Sequence, residues 1–129
     1  MIEINNLTST KINHNRIKRI AQAFFNIYPS DNLPVSLALI GDTRMRQINF
    51  SYRGQDKSTD VLSFPDLMEI VISLPMIKKQ AQREKRSFLD ELDFILVHGL
   101  LHLVGFNDDT EKKRLAMIER GNNFLKNLK

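Results

Sequence analysis

Residues 88–104 place the hardest constraint on how this chain can fold. They read FLDELDFILVHGLLHLV and are apolar almost all the way round a helical wheel. Leu89, Leu92, Leu96, Leu100 and Leu103 form one stripe at helical spacing, and Phe94, Ile95, Val97 and Leu101 fill the other faces. A helix apolar on every side is stable only when other elements surround it, so this one belongs at the centre of a domain. Ser87, with Asp90 three residues on, supplies a start signal, and Gly105 supplies the stop. Two histidines, His98 and His102, lie one turn apart inside the segment, so their imidazoles project from one face.

The remaining pattern predicts what surrounds that helix. Ile2 and Ile4 alternate across residues 1–6 and suggest an edge strand. Ile12, Ile17, Ile20, Ala21, Phe24 and Phe25 predict a helix over 11–27, ended by Pro29 and the Asp31-Asn32 pair. Val35–Ile40 reads as a strand between Pro34 and Gly41. Asp42 is placed to cap a helix reaching Tyr52, with Gly54 at its C-terminal end. Thr59–Phe64 and Met68–Ser73 read as strands separated by Pro65, and Pro75 suits the first turn of a helix running to Lys85. Asp109 or Thr110 caps a last amphipathic helix carrying Leu115, Ile118 and Leu125. Strands mixed with helices give an α+β or α/β domain with a small sheet of about four strands. Of the two the expectation adopted is α+β, a small mixed four-stranded sheet packed with about five helices round a zincin-like central helix. Repeats, low-complexity tracts and Gly/Pro/Ser-rich linkers are absent, so residues 1–129 are expected to form a single domain.

The chain has no cysteine, which rules out disulfides and thiolate metal sites. A metal must therefore be held by His, Asp or Glu. The N-terminal residues MIEINNLTST lack the pattern of a signal peptide, and no apolar run is long enough to span a bilayer. A cytoplasmic protein with no membrane partner is expected. The net charge of +4 is modest, but the basic residues cluster. They gather at Lys11, Arg16, Lys18 and Arg19, at Lys78, Lys79, Arg83, Lys85 and Arg86, and at Lys112, Lys113 and Arg114. Such clusters suit either solvated helix faces or a polyanion such as RNA, and charge alone does not choose between them.

The spacing around the histidines is more specific. His98-Gly-Leu-Leu-His102 on a helix is the core of a zincin-type site. Gly105, at +7 from His98, lets the chain turn back and brings the +10 residue, Asp108, toward the same ion. Two histidines and an aspartate would hold one divalent ion, with zinc expected, and leave a fourth position open for chemistry. The bland alternative is a pair of satisfied core histidines. His14 lies in a polar stretch and reads as an ordinary surface residue.

Three blocks resemble the YbeY family of bacterial metal-dependent endoribonucleases. Tyr52-Arg53-Gly54-Gln55-Asp56-Lys57-Ser58-Thr59-Asp60-Val61-Leu62-Ser63-Phe64-Pro65 matches its Tyr-Arg-Gly block. Glu69–Ser73 followed by Gln80-Ala81 matches its next strand and helix, and Glu91–Gly105 matches its His-Gly-x-Leu-His-Leu-x-Gly helix. The chain also departs from the family. Asp108 stands where the third ligand is a histidine, Asn107 where aspartate is usual, and Leu67-Met68-Glu69 replaces Leu-Gly-Asp. Asp109 is the next candidate ligand should Asp108 not serve.

The resemblance implies a single-strand-specific endoribonuclease acting near the 3′ end of small-subunit ribosomal RNA, with a further part in ribosome quality control. Its implied partners are single-stranded and ribosomal RNA and the small subunit with its proteins, and DNA is not expected among them. Gly99 occupies the position of the protease glutamate, which argues for phosphodiester rather than peptide chemistry. Arg53 is the candidate catalytic cation, since its planar fork suits phosphate, although it could instead pair with Asp56 or Asp60. Asp60 is a candidate orienting group or turn stabiliser. Two other readings remain: a non-catalytic RNA- or ribosome-binding module with a weakened metal site, and a metal-dependent hydrolase of another substrate.

Overall fold

Parallel pairing of Ile2–Asn6 (β1) with Val35–Ile40 (β2) starts a sheet of four strands. The computed structural model describes residues 1–128. Glu69–Ser73 (β4) continues the sheet parallel to β2, and Val61–Phe64 (β3) closes it antiparallel to β4 as an edge strand. Five α-helices, His14–Ile27 (α1), Asp42–Arg53 (α2), Leu74–Glu84 (α3), Phe88–Leu103 (α4) and Glu111–Asn127 (α5), and a single 3-10 turn at Pro65–Leu67 complete the described chain. The α+β class, the mixed four-stranded sheet and the five helices agree with the expectation.

Four helices begin on a side-chain cap, as the sequence suggests for Ser87 and Thr110. Asn13, Ser73, Ser87 and Thr110 accept from the backbone N–H three residues on, at 3.1, 3.4, 3.0 and 3.1 Å. α2 corrects the reading of Asp42. Its cap is Gly41, which offers no side-chain bond, and Asp42 is the first helical residue. There its carboxylate complements the positive end of the helix dipole instead. α1 starts later than its apolar pattern, because Asn13 caps it and Ile12 packs on the core from outside the helix. β3 starts at Val61 rather than Thr59, since Asp60 turns its carboxylate onto the Val61 N–H at 2.8 Å.

Alternation along the strands divides the apolar residues between two faces. Val35, Leu37, Leu39, Ile70 and Ile72 enter the main core with α1, α3 and α4. Ile40, Leu62 and Val71 point the other way and meet Met45 of α2. α4 lies against α1, α3, α5, β3 and β4, as a helix apolar on all sides must. Arg16 of α1 ties to its outer turn, donating from Nε to both Asp93 carboxylate oxygens at 3.1 and 3.2 Å.

Two apolar stripes need revision. Leu89 sits in the first turn of α4 and is exposed. In α5 the buried residues are Met117 and Gly121, while Leu115 is exposed. Gly121 presents no side chain to Val97 and Leu101, so α5 approaches α4 through its smallest residue.

Candidate metal centre and its cleft

The end of α4 is shaped by backbone requirements. Gly105 adopts φ 106°, a conformation open to glycine and poorly accessible to other residues. Its N–H donates to the His102 carbonyl and the Phe106 N–H to the Leu101 carbonyl, both at 3.1 Å. These paired bonds form the Schellman arrangement that reverses a chain after a helix. The reversal returns residues 106–108 beneath the last two turns of α4.

Asp108 thereby meets both histidines. Its Oδ2 lies 3.4 Å from His98 Nε2 and 3.5 Å from His102 Nε2. One ligand atom from each of the three residues falls within 4.8 Å of the others. Bonds of about 2.0–2.1 Å in a tetrahedron separate ligand atoms by about 3.4 Å, so this donor set fits an ion of zinc size. Asp109, the alternative ligand, faces elsewhere and pairs with Lys113 at 3.4 Å.

The His98 imidazole is held in the form a metal requires. Burial and the neighbouring His102 push the His98 pKa below its ordinary value, against the opposing pull of Asp108. A neutral ring can ligate. Its plane is set by Phe94, stacked at a centroid distance of 6.2 Å, while Nδ1 is buried without a partner among the described residues. His102 stands edge-on to it at 4.9 Å.

These groups line a cleft of 720 Å³ between α4, β3 and the loop leading into α5. Arg53 reaches its rim from the last turn of α2, beside the left-handed Gly54 at φ 69°. Among the described residues Arg53 makes no hydrogen bond or ion pair. Its two alternative partners are engaged: Asp56 with Arg46 at 2.7 Å, and Asp60 with Gln80 at 3.1 Å. Asp60 also lines the cleft, oriented by the Val61 N–H, the Thr59 hydroxyl and Gln80, so it orients and ties the turn together.

Three features escape the linear pattern. Arg114 lines the same cleft, although in the sequence it belongs only to a basic cluster. Phe106 connects the metal-side loop to the back of the molecule, under the Arg120 guanidinium at 4.5 Å and edge-on to Tyr28 at 5.8 Å. Gly99 allows β3 and β4 to approach α4, and the Ser63 hydroxyl donates to its carbonyl at 3.1 Å. The other basic clusters are partly committed: Arg16 to Asp93, and Arg86 to the Phe94 ring and Glu91.

Fold and cluster together define an α+β protein with a zincin-like helix and a His-His-Asp group able to hold a metal ion. The chain belongs to the YbeY family: the family model described as Endoribonuclease YbeY matches residues 3–129. An Endoribonuclease YbeY of Geobacillus kaustophilus is 35% identical across 95% of this chain and 90% of its own length. One from Persephonella marina is 36% identical across 77% of this chain and 72% of its own length. The solution structure of a Thermotoga maritima protein shares the fold, with a TM-score of 0.64 at 24% identity over 97% of this chain and 89% of that one.

At its backbone, Met68 takes φ 50°, in the left-handed region. Its side chain is buried in the main core, which offsets a conformational cost of about 1–2 kcal/mol.

Proposed function

We propose that residues 1–129 act as one metal-dependent endoribonuclease specific for single-stranded RNA. The observation that carries this reading is the convergence of His98, His102 and Asp108 in a cleft shared with Arg53, which is unpaired among the described residues, in a chain of the YbeY family. His98, His102 and Asp108 would hold one divalent ion, with zinc favoured by the nitrogen-rich donor set. The chemistry supplied by such an ion is Lewis acidity toward a phosphoryl oxygen and activation of an attacking water.

The chain's own residues supply the rest. Arg53 binds a non-bridging phosphoryl oxygen and stabilises charge developing there. Asp60 orients the turn that leads into β3, along which the single strand lies. Gly99 leaves no general base in the protease position, which disfavours peptide hydrolysis. No helix among the described residues is long and apolar enough to cross a membrane. We place the enzyme in the cytoplasm, acting on ribosomal RNA near the 3′ end of the small-subunit species and in ribosome quality control, with the small subunit and its proteins as partners and without DNA.

The test is cleavage of labelled single-stranded RNA, duplex RNA and an unstructured peptide by purified protein, with and without chelator. Cleavage of single strands alone, lost on chelation and in His98→Ala, is the expected result. The carboxylate in the ligand set favours one second reading, a non-catalytic RNA- or ribosome-binding module, because it lowers the net positive charge at the ion. RNA binding without cleavage at any divalent metal tested would establish that reading instead.

A further inference from the structure

The charges lining the cleft cancel. Arg53 and Arg114 contribute two positive charges, and Asp60 and Asp108 contribute two negative ones. A cleft that must receive a polyanion therefore depends on each of its two guanidinium groups. Arg53 lines it from the last turn of α2, and Arg114 lines it from the first turn of α5, six residues beyond Asp108.

Arg114 is held but not buried. Its Nε and Nη2 donate to the two Glu111 carboxylate oxygens at 3.0 and 2.7 Å, and its side chain is 47% exposed. This two-pronged geometry is the one a guanidinium uses for a phosphodiester. Glu111 thus engages the same fork that two non-bridging phosphate oxygens would engage. Exchanging one anion for the other leaves Glu111 in the first turn of α5, where the helix dipole still favours its charge.

We propose that Arg114 is a second phosphate-binding residue of this cleft, gripping an RNA phosphate other than the one at Arg53, with Glu111 as the anion that RNA displaces. The inference rests on the ribonuclease reading and extends it. A strand held by both arginines would lie in the cleft that His98, His102 and Asp108 also line. Arg114 also returns the positive charge that the carboxylate of Asp108 removes from the site.

The experiment uses metal-loaded full-length protein and a fluorescein-labelled single-stranded RNA of about 12 nucleotides, a length within the range of single-strand binding sites. Anisotropy is read at several salt concentrations at early times, over which gels show the probe still uncut, and metal content is measured on every variant. Arg114→Ala is expected to weaken binding by about 5- to 10-fold and to lower the slope of log Kd against log salt by about 0.7. Arg114→Lys should keep the slope while losing part of the affinity, and Glu111→Gln should tighten binding. Metal content should be unchanged in all three. Wild-type affinity and slope in Arg114→Ala would overturn the proposal, as would equal weakening by Glu111→Gln, which marks the pair as a helix brace. Wild-type protein that binds no single-stranded RNA would overturn the ribonuclease reading itself.

Discussion

Gly99 and Ile70 lie so close that a β-carbon on Gly99 would sit 3.1 Å from Ile70 Cγ2. The glycine is thus a packing requirement of α4 against β4, in addition to leaving the protease glutamate position empty. Gly99→Ala gains about 1 kcal/mol of helix propensity and loses about 1–3 kcal/mol to overpacking, for an expected net loss near 1 kcal/mol. Gly99→Glu buries a carboxylate with no partner and should cost about 3 kcal/mol or more. Urea denaturation measures both, and Gly99→Glu protein as stable as wild type would show that the helix and sheet separate easily.

The ligand cluster predicts a graded loss of metal. His98→Ala and His102→Ala should purify with metal reduced to traces. Asp108→Ala should bind at least about 100-fold more weakly, since two histidines alone leave the ion with half of a tetrahedral protein shell. Asp109→Ala should retain the wild-type content, because that carboxylate pairs with Lys113. Elemental analysis of the four variants decides the ligand set, and full occupancy in Asp108→Ala would remove Asp108 from it.

Arg53 offers a test separate from metal binding. Arg53→Ala should retain its metal and fold while lowering kcat by about 100- to 1,000-fold, the effect of losing one preorganised donor to a developing oxyanion. Arg53→Lys should recover only part of that loss, since an ammonium cannot form the two-pronged contact. Single-turnover cleavage of RNA by metal-loaded protein gives the comparison, and an unimpaired kcat in Arg53→Ala would assign it no part in the chemical step.

Glu91 makes stability depend on pH. Its side chain is 6% exposed, its nearest cation is Arg86 at 3.5 Å, and Oε1 has no hydrogen-bond partner among the described residues. Burial raises its pKa above the ordinary carboxyl value, against the pull of Arg86. The folded state therefore binds the Glu91 proton more tightly than the unfolded chain does. The associated stability is complete below the unfolded pKa of about 4.3 and is lost as pH rises through the raised folded value. Glu91→Gln should therefore melt higher than wild type at pH 7, with the gain shrinking at pH 4. Calorimetry at the two values measures it, and a Gln variant that melts lower at pH 7 would show that the Arg86 contact outweighs desolvation.

Much of the fold is legible in the linear pattern because its signals are local. Helix caps at Ser87 and Thr110, the left-handed Gly54 and the apolar circumference of α4 act within a turn or two of themselves. Asp42 and Leu115 misled for a related reason. A carboxylate can serve a helix as a cap or through the dipole, and an apolar residue can be left exposed when a neighbouring glycine permits a closer approach.

The sequence by itself determined that two histidines one turn apart lie on a central helix, and that Gly105 turns the chain back toward them. Helical periodicity and the conformational freedom of glycine are properties of short segments. Spacing also singled out Asp108, at +10 from His98, as the carboxylate to meet them, and only the tertiary structure decided that Arg53 and Arg114 share one cleft with them and that Gly99 makes room for β4. These relationships join elements far apart in the chain, or depend on distances of a few tenths of an ångström, and both are set by how helices and sheet pack rather than by any local pattern.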